Sequence, residues 1–489
     1  MLNGRSSLTR RLLALTGTFA RALRLLLIAT LLVVALGTAP APARPVQAAP
    51  GGPVSPEGLL NPDGTLDLST GFQGALDLRG WQVTLDGERG PVLEPASLPD
   101  AFQVTAWHPL PKEGLNDMVR ALAVVGSDLY VGGDFAQTGD ASLTDLGHIA
   151  RYDTTGNTWH PLPRQGLNNW VEALAVVGSD LYVGGDFTGT GDGTLPNLGR
   201  IVRYDTTTNT WHALPKEGLN NPVYALAVSG SDLYVGGFFT QTGDGAWTNL
   251  GRIARYETTA NTWNPLPRQG LDHTVFALAV VASDLYVGGW FSQTGDGTLT
   301  NLGNIARYDT TANTWNELPK EGLNDMVRAL AVVGSDLYVG GDFTQTGDAS
   351  LTDLGYIVRY DTTDKTWHAL PKEGLDNHVH GLAVSGSDLY VGGSFTQTGD
   401  GTLTNLGGIA RYDITANTWS ALPNQGLGMG VINFGVNALA VVGSDLYVGG
   451  RFDQTGDTTL TNLGNIARGA LAVPKIQVLN VYLPLVTRK

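Results

Sequence analysis

Residues 119–159 read VRALAVVGSDLYVGGDFAQTGDASLTDLGHIARYDTTGNTW. Punctuation divides that run into four extended pieces. Val119–Val125 is apolar and ends at Gly126-Ser127-Asp128, which is hairpin-turn chemistry, and Leu129–Gly133 returns. A longer loop, Ala136–Leu146, leads to Ile149–Asp153, and the turn Thr154–Asn157 opens a fourth strand, Thr158–Leu162. The first two strands lack polar alternation, the pattern of a sheet covered on both faces. Pro161 in the fourth fits an edge strand, where a missing N–H donor faces solvent.

The same text returns every 52 residues: Trp107, Trp159, Trp211, Trp263, Trp315, Trp367 and Trp419 keep that spacing without a slip. A fixed period of this length marks a repeat array, and four-stranded antiparallel sheets repeated radially are the blades of a β-propeller. The seventh copy runs from Leu446 through Ile466-Ala467-Arg468 and stops at Gly469, with neither Tyr nor Trp following. Trp107-His108-Pro109-Leu110 is a fourth strand with no first three before it. The expectation is therefore an all-β, seven-bladed propeller with four antiparallel strands per blade. The N-terminal outer strand near Trp107 completes blade seven and closes the ring, so no sheet edge is left open. A chain without cysteine needs such a closure, because disulfides are not open to it.

Gly132-Gly133 closing the second strand, then Tyr152 and Trp159 with six residues between them, resembles the kelch repeat, and so do Gly184-Gly185, Tyr204 and Trp211. The G-G-x-F and I-A-R-Y runs are also similar to bacterial propeller repeats and to fungal cortical polarity-marker repeats. The resemblance covers about residues 105 to 468. Kelch rings that act as copper-radical oxidases need a Cys–Tyr crosslink, which this chain cannot form.

The flanks read differently. Residues 1–48 resemble an export signal: five arginines and no acid in the first 24 residues, an apolar run from Leu25 to Leu36, and Val46-Gln47-Ala48 as a small-residue cleavage site. Residues 49–104 are a Pro/Gly-rich linker with a hairpin-like piece from Trp81 to Arg89, 105–468 are the propeller, and 469–489 are a tail. Its apolar part, Val478–Val486, is too short to span a bilayer and is expected to act in surface sorting or to dock as a last strand. Cleavage would leave 24 basic residues against 45 acidic ones, a net charge of −21. That surface repels a phosphate backbone, so nucleic acid is not the partner. The mature chain is expected to be a monomer, secreted or at the cell surface, with no membrane span.

Comparing the copies shows which positions the scaffold leaves free. Four columns vary. The first is Met118, Trp170, Pro222, Thr274, Met326 and His378. The second is Arg120, Glu172, Tyr224, Phe276, Arg328, His380 and Asn437. The third is Asp134, Asp186, Phe238, Trp290, Asp342, Ser394 and Arg451. The fourth is His148, Arg200, Arg252, Asn304, Tyr356, Gly408 and Asn465. By strand direction all four meet on one rim, together with the longer loops and the insertion Gly428–Asn437. Aromatic residues gather there in blades two to four. Trp170, Glu172, Tyr224, Phe238, Trp247, Phe276 and Trp290 are the candidate ligand-binding residues, suited to a protein hot spot or to sugar stacking.

Chemistry has little to work with. His378 and His380 could offer two metal ligands, but no third is specified, and they are expected to be solvated. Asp192, Asp244, Asp296 and Asp400 lie in Thr-Gly-Asp-Gly loops that lack the dense acids of a calcium loop and read as polar turns. No catalytic residue, metal or cofactor is assigned. The expected function is non-enzymatic recognition of a protein or glycan. The alternative is a carbohydrate-active enzyme built on Glu172, Asp186 and Asp134, which converge on the same rim.

Overall fold

The computed structural model describes residues 59–61, 65, 81–86, 90–95, 104–428 and 435–471. The export segment, the tail beyond Leu471 and residues 429–434 of the insertion lie outside them. The chain divides into two units, Met1–Pro99 and Asp100–Lys489. In the first, Trp81–Asp86 pairs antiparallel with Gly90–Pro95 and Thr65 bridges to Val92, so the hairpin foreseen around Trp81 runs on to Pro95.

The second unit is a propeller of seven four-stranded antiparallel sheets. Blade one consists of Val119–Val125, Asp128–Gly133, Ile149–Asp153 and Thr158–Pro161, and the next five repeat it in register. The second strands are buried nearly end to end, as expected for a sheet wedged between two neighbours. Leu129, Val131 and Ile149 are fully buried, and so are their counterparts around the ring.

The paired glycine is a packing requirement. A Cβ on Gly132 would lie 2.3 Å from Val171 Cγ1 in the next blade, and one on Gly133 would lie 2.1 Å from the Met118 carbonyl oxygen. One glycine thus admits the neighbouring sheet and the other admits the incoming first strand.

Blades are stapled by the repeated tryptophan. Trp159 Nε1–H donates to the Pro111 carbonyl at 3.1 Å, in the connector that leads into its own blade from the preceding one. Trp211, Trp263, Trp315, Trp367 and Trp419 make the same bond to Pro163, Pro215, Pro267, Pro319 and Pro371. Tyrosines add contacts between sheets: Tyr130 meets Tyr204 of the next blade at 6.1 Å between ring centroids, and Tyr447 of blade seven meets Tyr152 of blade one at 6.0 Å.

Blade seven is assembled from both ends of this unit. Val436–Val442, Asp445–Gly450 and Ile466–Leu471 are joined by Val104–Pro109, with Trp107 opposite Gly469. Trp107 Nε1–H reaches the Pro423 carbonyl at 3.0 Å, so the closing strand makes the same staple as the other six. Gly469 stands where the other blades carry tyrosine, and the reason is steric. A Cβ there would lie 2.8 Å from Val104 Cγ1 and 3.0 Å from the Trp107 ring, so the closing strand fills the space. In blade six, next to the closing blade, the repeated Arg–Asp pair is withdrawn from water. Arg411 Nε donates to Asp388 at 2.7 Å, with the two side chains 5% and 0% exposed. Burial pushes the Asp388 carboxyl up to about 6.

Gly469→Ala is expected to cost about 1–3 kcal/mol through overpacking. Gly469→Tyr, which restores the repeat consensus, should cost more. Thermal melting checks both, and a tyrosine variant melting at or above the parent would contradict the seam described here.

Candidate functional site

In every blade the first strand carries a β-bulge at the second variable column. Val119 pairs with Gly133 and Ala121 with Gly132, which leaves Arg120 with no residue opposite it. The same shift occurs at Glu172, Tyr224, Phe276, Arg328, His380 and Asn437. A bulge re-aims a side chain without disturbing the ladder on either side of it. Below these seven residues, the alanines and leucines of the inner strands line a channel of about 230 Å³.

Backbone bonds gather the other columns around the bulge. Asp134 N–H donates to the Met118 carbonyl at 2.9 Å and Gly133 N–H to the His148 carbonyl at 3.0 Å. The fourth column sits in the left-handed region in all seven copies, from His148 at φ 64° to Asn465 at 63°, and only Gly408 does so without steric cost. Asn116 Oδ1 accepts from the N–H groups of Ala136 and Gln137 and fixes the loop beside them. None of these contacts uses a variable side chain.

The variable side chains make two sectors. In the polar one, the Arg120 guanidinium bonds Asp134 at 2.9 Å and reaches Glu172 of blade two at 3.4 Å. Arg328 bonds Asp342 at 2.6 Å, and Asp342 also meets His378 Nδ1 at 3.2 Å. His380 Nε2 lies 2.9 Å from the buried Ser394 Oγ. Arg120, Arg328, His378, His380 and Ser394, with Met118, Asn377 and Asn437, line a cavity of about 420 Å³. His380 is thus half-buried and hydrogen-bonded rather than freely solvated, whereas the His378 side chain is 42% exposed. Burial, reinforced by the Arg328 charge, lowers the His380 pKa to about 4. Burial raises Glu172 against the opposing pull of Arg120.

The aromatic sector belongs to blades three and four. Tyr224 and Phe276 sit on adjacent bulges, half-buried, with ring centroids 5.6 Å apart, and Arg328 lies over Phe276 at 5.7 Å. Further out, Arg252 covers Phe238 at 4.7 Å, Phe238 is 6.0 Å from His273, and His273 is 4.3 Å from Trp290. Phe238 and Trp290 are exposed, Trp290 to 53%. Trp170 and Trp247 are exposed as well, but Trp170 is covered by Arg120 at 5.3 Å. Among the described residues no ring contact joins Trp170 or Trp247 to the aromatic row. Of the seven expected residues, the structure thus brings together Tyr224 with Phe276, and Phe238 with Trp290 through His273.

His273 escaped the sequence reading, yet a signal existed. It stands where other copies have Asp117, Asn169, Asp325 or Asn377, each of which accepts the next residue's N–H. His273 Nδ1 performs that task, accepting from Thr274 N–H at 2.8 Å.

Among the described residues no cluster of three or more His, Asp or Glu suits a metal ion. The acids of the Thr-Gly-Asp loops are engaged locally: Asp192 Oδ1 accepts from the Thr190 and Thr194 hydroxyls and from Thr194 N–H.

With this geometry in view, the relatives can be placed. The repeats are similar to those of kelch-like and polarized growth proteins. A family model of the Rax2 C-terminal β-propeller domain matches residues 305–429. The polarized growth protein rax2 of Schizosaccharomyces pombe is 31% identical over 153 residues, 30% of this chain and 12% of that protein. The polarized growth protein L1 of a Phoma species is 29% identical over 152 residues, 30% of this chain and 11% of its own length. Kelch-like protein 35 of Mus musculus is 24% identical over 213 residues, 43% of this chain and 32% of that protein. The chain therefore spans no more than about a third of the length of these relatives. Among the described residues no helix is long and apolar enough to cross a membrane.

His380 gives a pH prediction. Its folded pKa lies below the ordinary 6.5, so on acidification the unfolded chain takes up a proton that the folded chain refuses. Stability from this group is present above pH 6.5 and is lost as pH falls toward 4. His380→Gln should flatten the fall in melting temperature across that window. Superimposable pH profiles of parent and variant would contradict it.

Proposed function

We propose that this chain is a non-enzymatic recognition propeller that binds a protein partner through the rim carrying the seven bulges, with the aromatic sector of blades three and four as its centre. The observation that carries this reading is the row Phe238–His273–Trp290, whose outer two rings are exposed and stand on positions where the backbone is held without help from their side chains. Solvent-facing aromatic rings beside an arginine have the composition of an interface hot spot. Similarity to kelch-like and polarized growth proteins accords with a binding scaffold, and the export signature of residues 1–48 supports action outside the cytoplasm.

A glycan is the second reading, favoured by the exposed indoles of Trp170 and Trp290. Glycoside hydrolysis has less support. It needs one carboxylic acid and one free carboxylate across a bond, whereas Arg120 holds both Asp134 and Glu172, and Arg200 bonds Asp186 at 2.8 Å.

The test is a random peptide library and a glycan array presented in parallel to the parent chain and to a Phe238→Ala/Trp290→Ala variant. Peptides that bind the parent and lose at least tenfold affinity for the variant are the expected result, with a silent array. Array signal abolished by Trp170→Ala or Trp290→Ala would replace the protein reading with the glycan one. Peptides indifferent to the double variant would place binding elsewhere and overturn the proposal.

A further inference from the structure

Blade two pairs its third and fourth variable columns as an ion pair, Asp186 with Arg200 at 2.8 Å. Blade three keeps the arginine, Arg252, and replaces the acid with Phe238. The substitution leaves a guanidinium that makes no ion pair among the described residues. Arg252 lies over the Phe238 ring and donates from Nη1 to the Phe238 carbonyl at 3.1 Å, while its buried Nε has no partner. Asp272 is the nearest source of negative potential, but its oxygens are committed to Ser292 and Gln293. Burial lowers the Arg252 pKa against the weaker opposing pull of Asp272.

The neighbouring groups are also donors. His273 Nδ1 accepts from Thr274 N–H, so the proton of the neutral ring is on Nε2. Trp290 adds an indole N–H on a ring 53% exposed. None of the four side chains in the row offers a hydrogen-bond acceptor. A surface of donors and π faces around one unpaired cation complements an acceptor-only anion attached to something apolar. A carboxylate is that anion, and the guanidinium fork matches its two oxygens.

From this we infer that the Arg252–Phe238–His273–Trp290 surface receives a protein segment presenting one carboxylate side chain next to an aromatic or aliphatic one. The inference rests on the protein-binding reading above and specifies its partner. The row crosses two blades, while the cavities on this rim lie at the channel mouth and are lined by other residues. An extended segment therefore fits better than a small acid, which would call for enclosure. The chain's net charge of −15 opposes a run of acids and leaves room for a single one.

Peptides selected from the random library on the full chain provide the test. They are expected to share an Asp or Glu adjacent to an aromatic or aliphatic residue. Changing that acid to its amide, or Arg252→Gln in the propeller, should each weaken binding at least tenfold in calorimetry. Arg252→Lys, which keeps the charge and loses the fork, should fall between. Thermal melting of each variant alongside the parent separates lost recognition from lost folding. Peptides that need Phe238 and Trp290 but are indifferent to the acid and to Arg252 would overturn this inference while leaving the protein-binding reading in place. Peptides that need none of these residues, or no enrichment, would overturn both.

Discussion

Seven indole N–H groups, each donating to a proline carbonyl in the connector between blades, hold this molecule in its geometry. A buried indole N–H left without an acceptor costs about 1–3 kcal/mol, so the tryptophan and the connector cannot drift independently. The connector is itself constrained. Lys112 and its counterparts take positive φ in a tight turn starting at the proline, which aims the carbonyl back at the ring. In six blades the proline stands 48 residues before its tryptophan; in the seventh the longer connector after Pro423 is accommodated, because the bond is made to Trp107 from the other end of the unit.

A scaffold held this firmly permits variety in the side chains of the rim. At the rim, main-chain bonds and the two glycines hold each bulge in place, and side chains such as Arg120, Tyr224 and His380 make no contribution to the ladder. The polar sector has become a network of mutual ion pairs, whereas blades three and four expose rings and an arginine. Both sectors are built on the same bulged backbone, and the contrast between them comes from the side chains placed on it.

How far this could be read from the sequence differs between the scaffold and the side chains of the rim. Strand number, blade count and the role of the strand around Trp107 were legible because each is repeated, and repetition separates scaffold from accident. The columns of variation were legible for the same reason. The bulge was not, because it depends on register across two strands and leaves no mark in composition. The pairing within the rim was also hidden. Glu172 and Asp186 look alike as text, yet one answers to an arginine in the neighbouring blade and the other to an arginine in its own. His273 shows the limit well: its column was visible, but a single exchange of Asn or Asp for His does not announce that it bridges Phe238 to Trp290.

The glycine at the seam acts as an address. Six of the seven copies present a tyrosine where Val104 must lie, and only the copy ending in Gly469 has a vacancy of the right shape. Near-identical modules give a chain many ways to miscount, by closing after six or by lending a strand to a neighbouring molecule. A single missing side chain removes that degeneracy, because the N-terminal strand can be seated in one position and is rejected from the others. The ring can thus count its own blades.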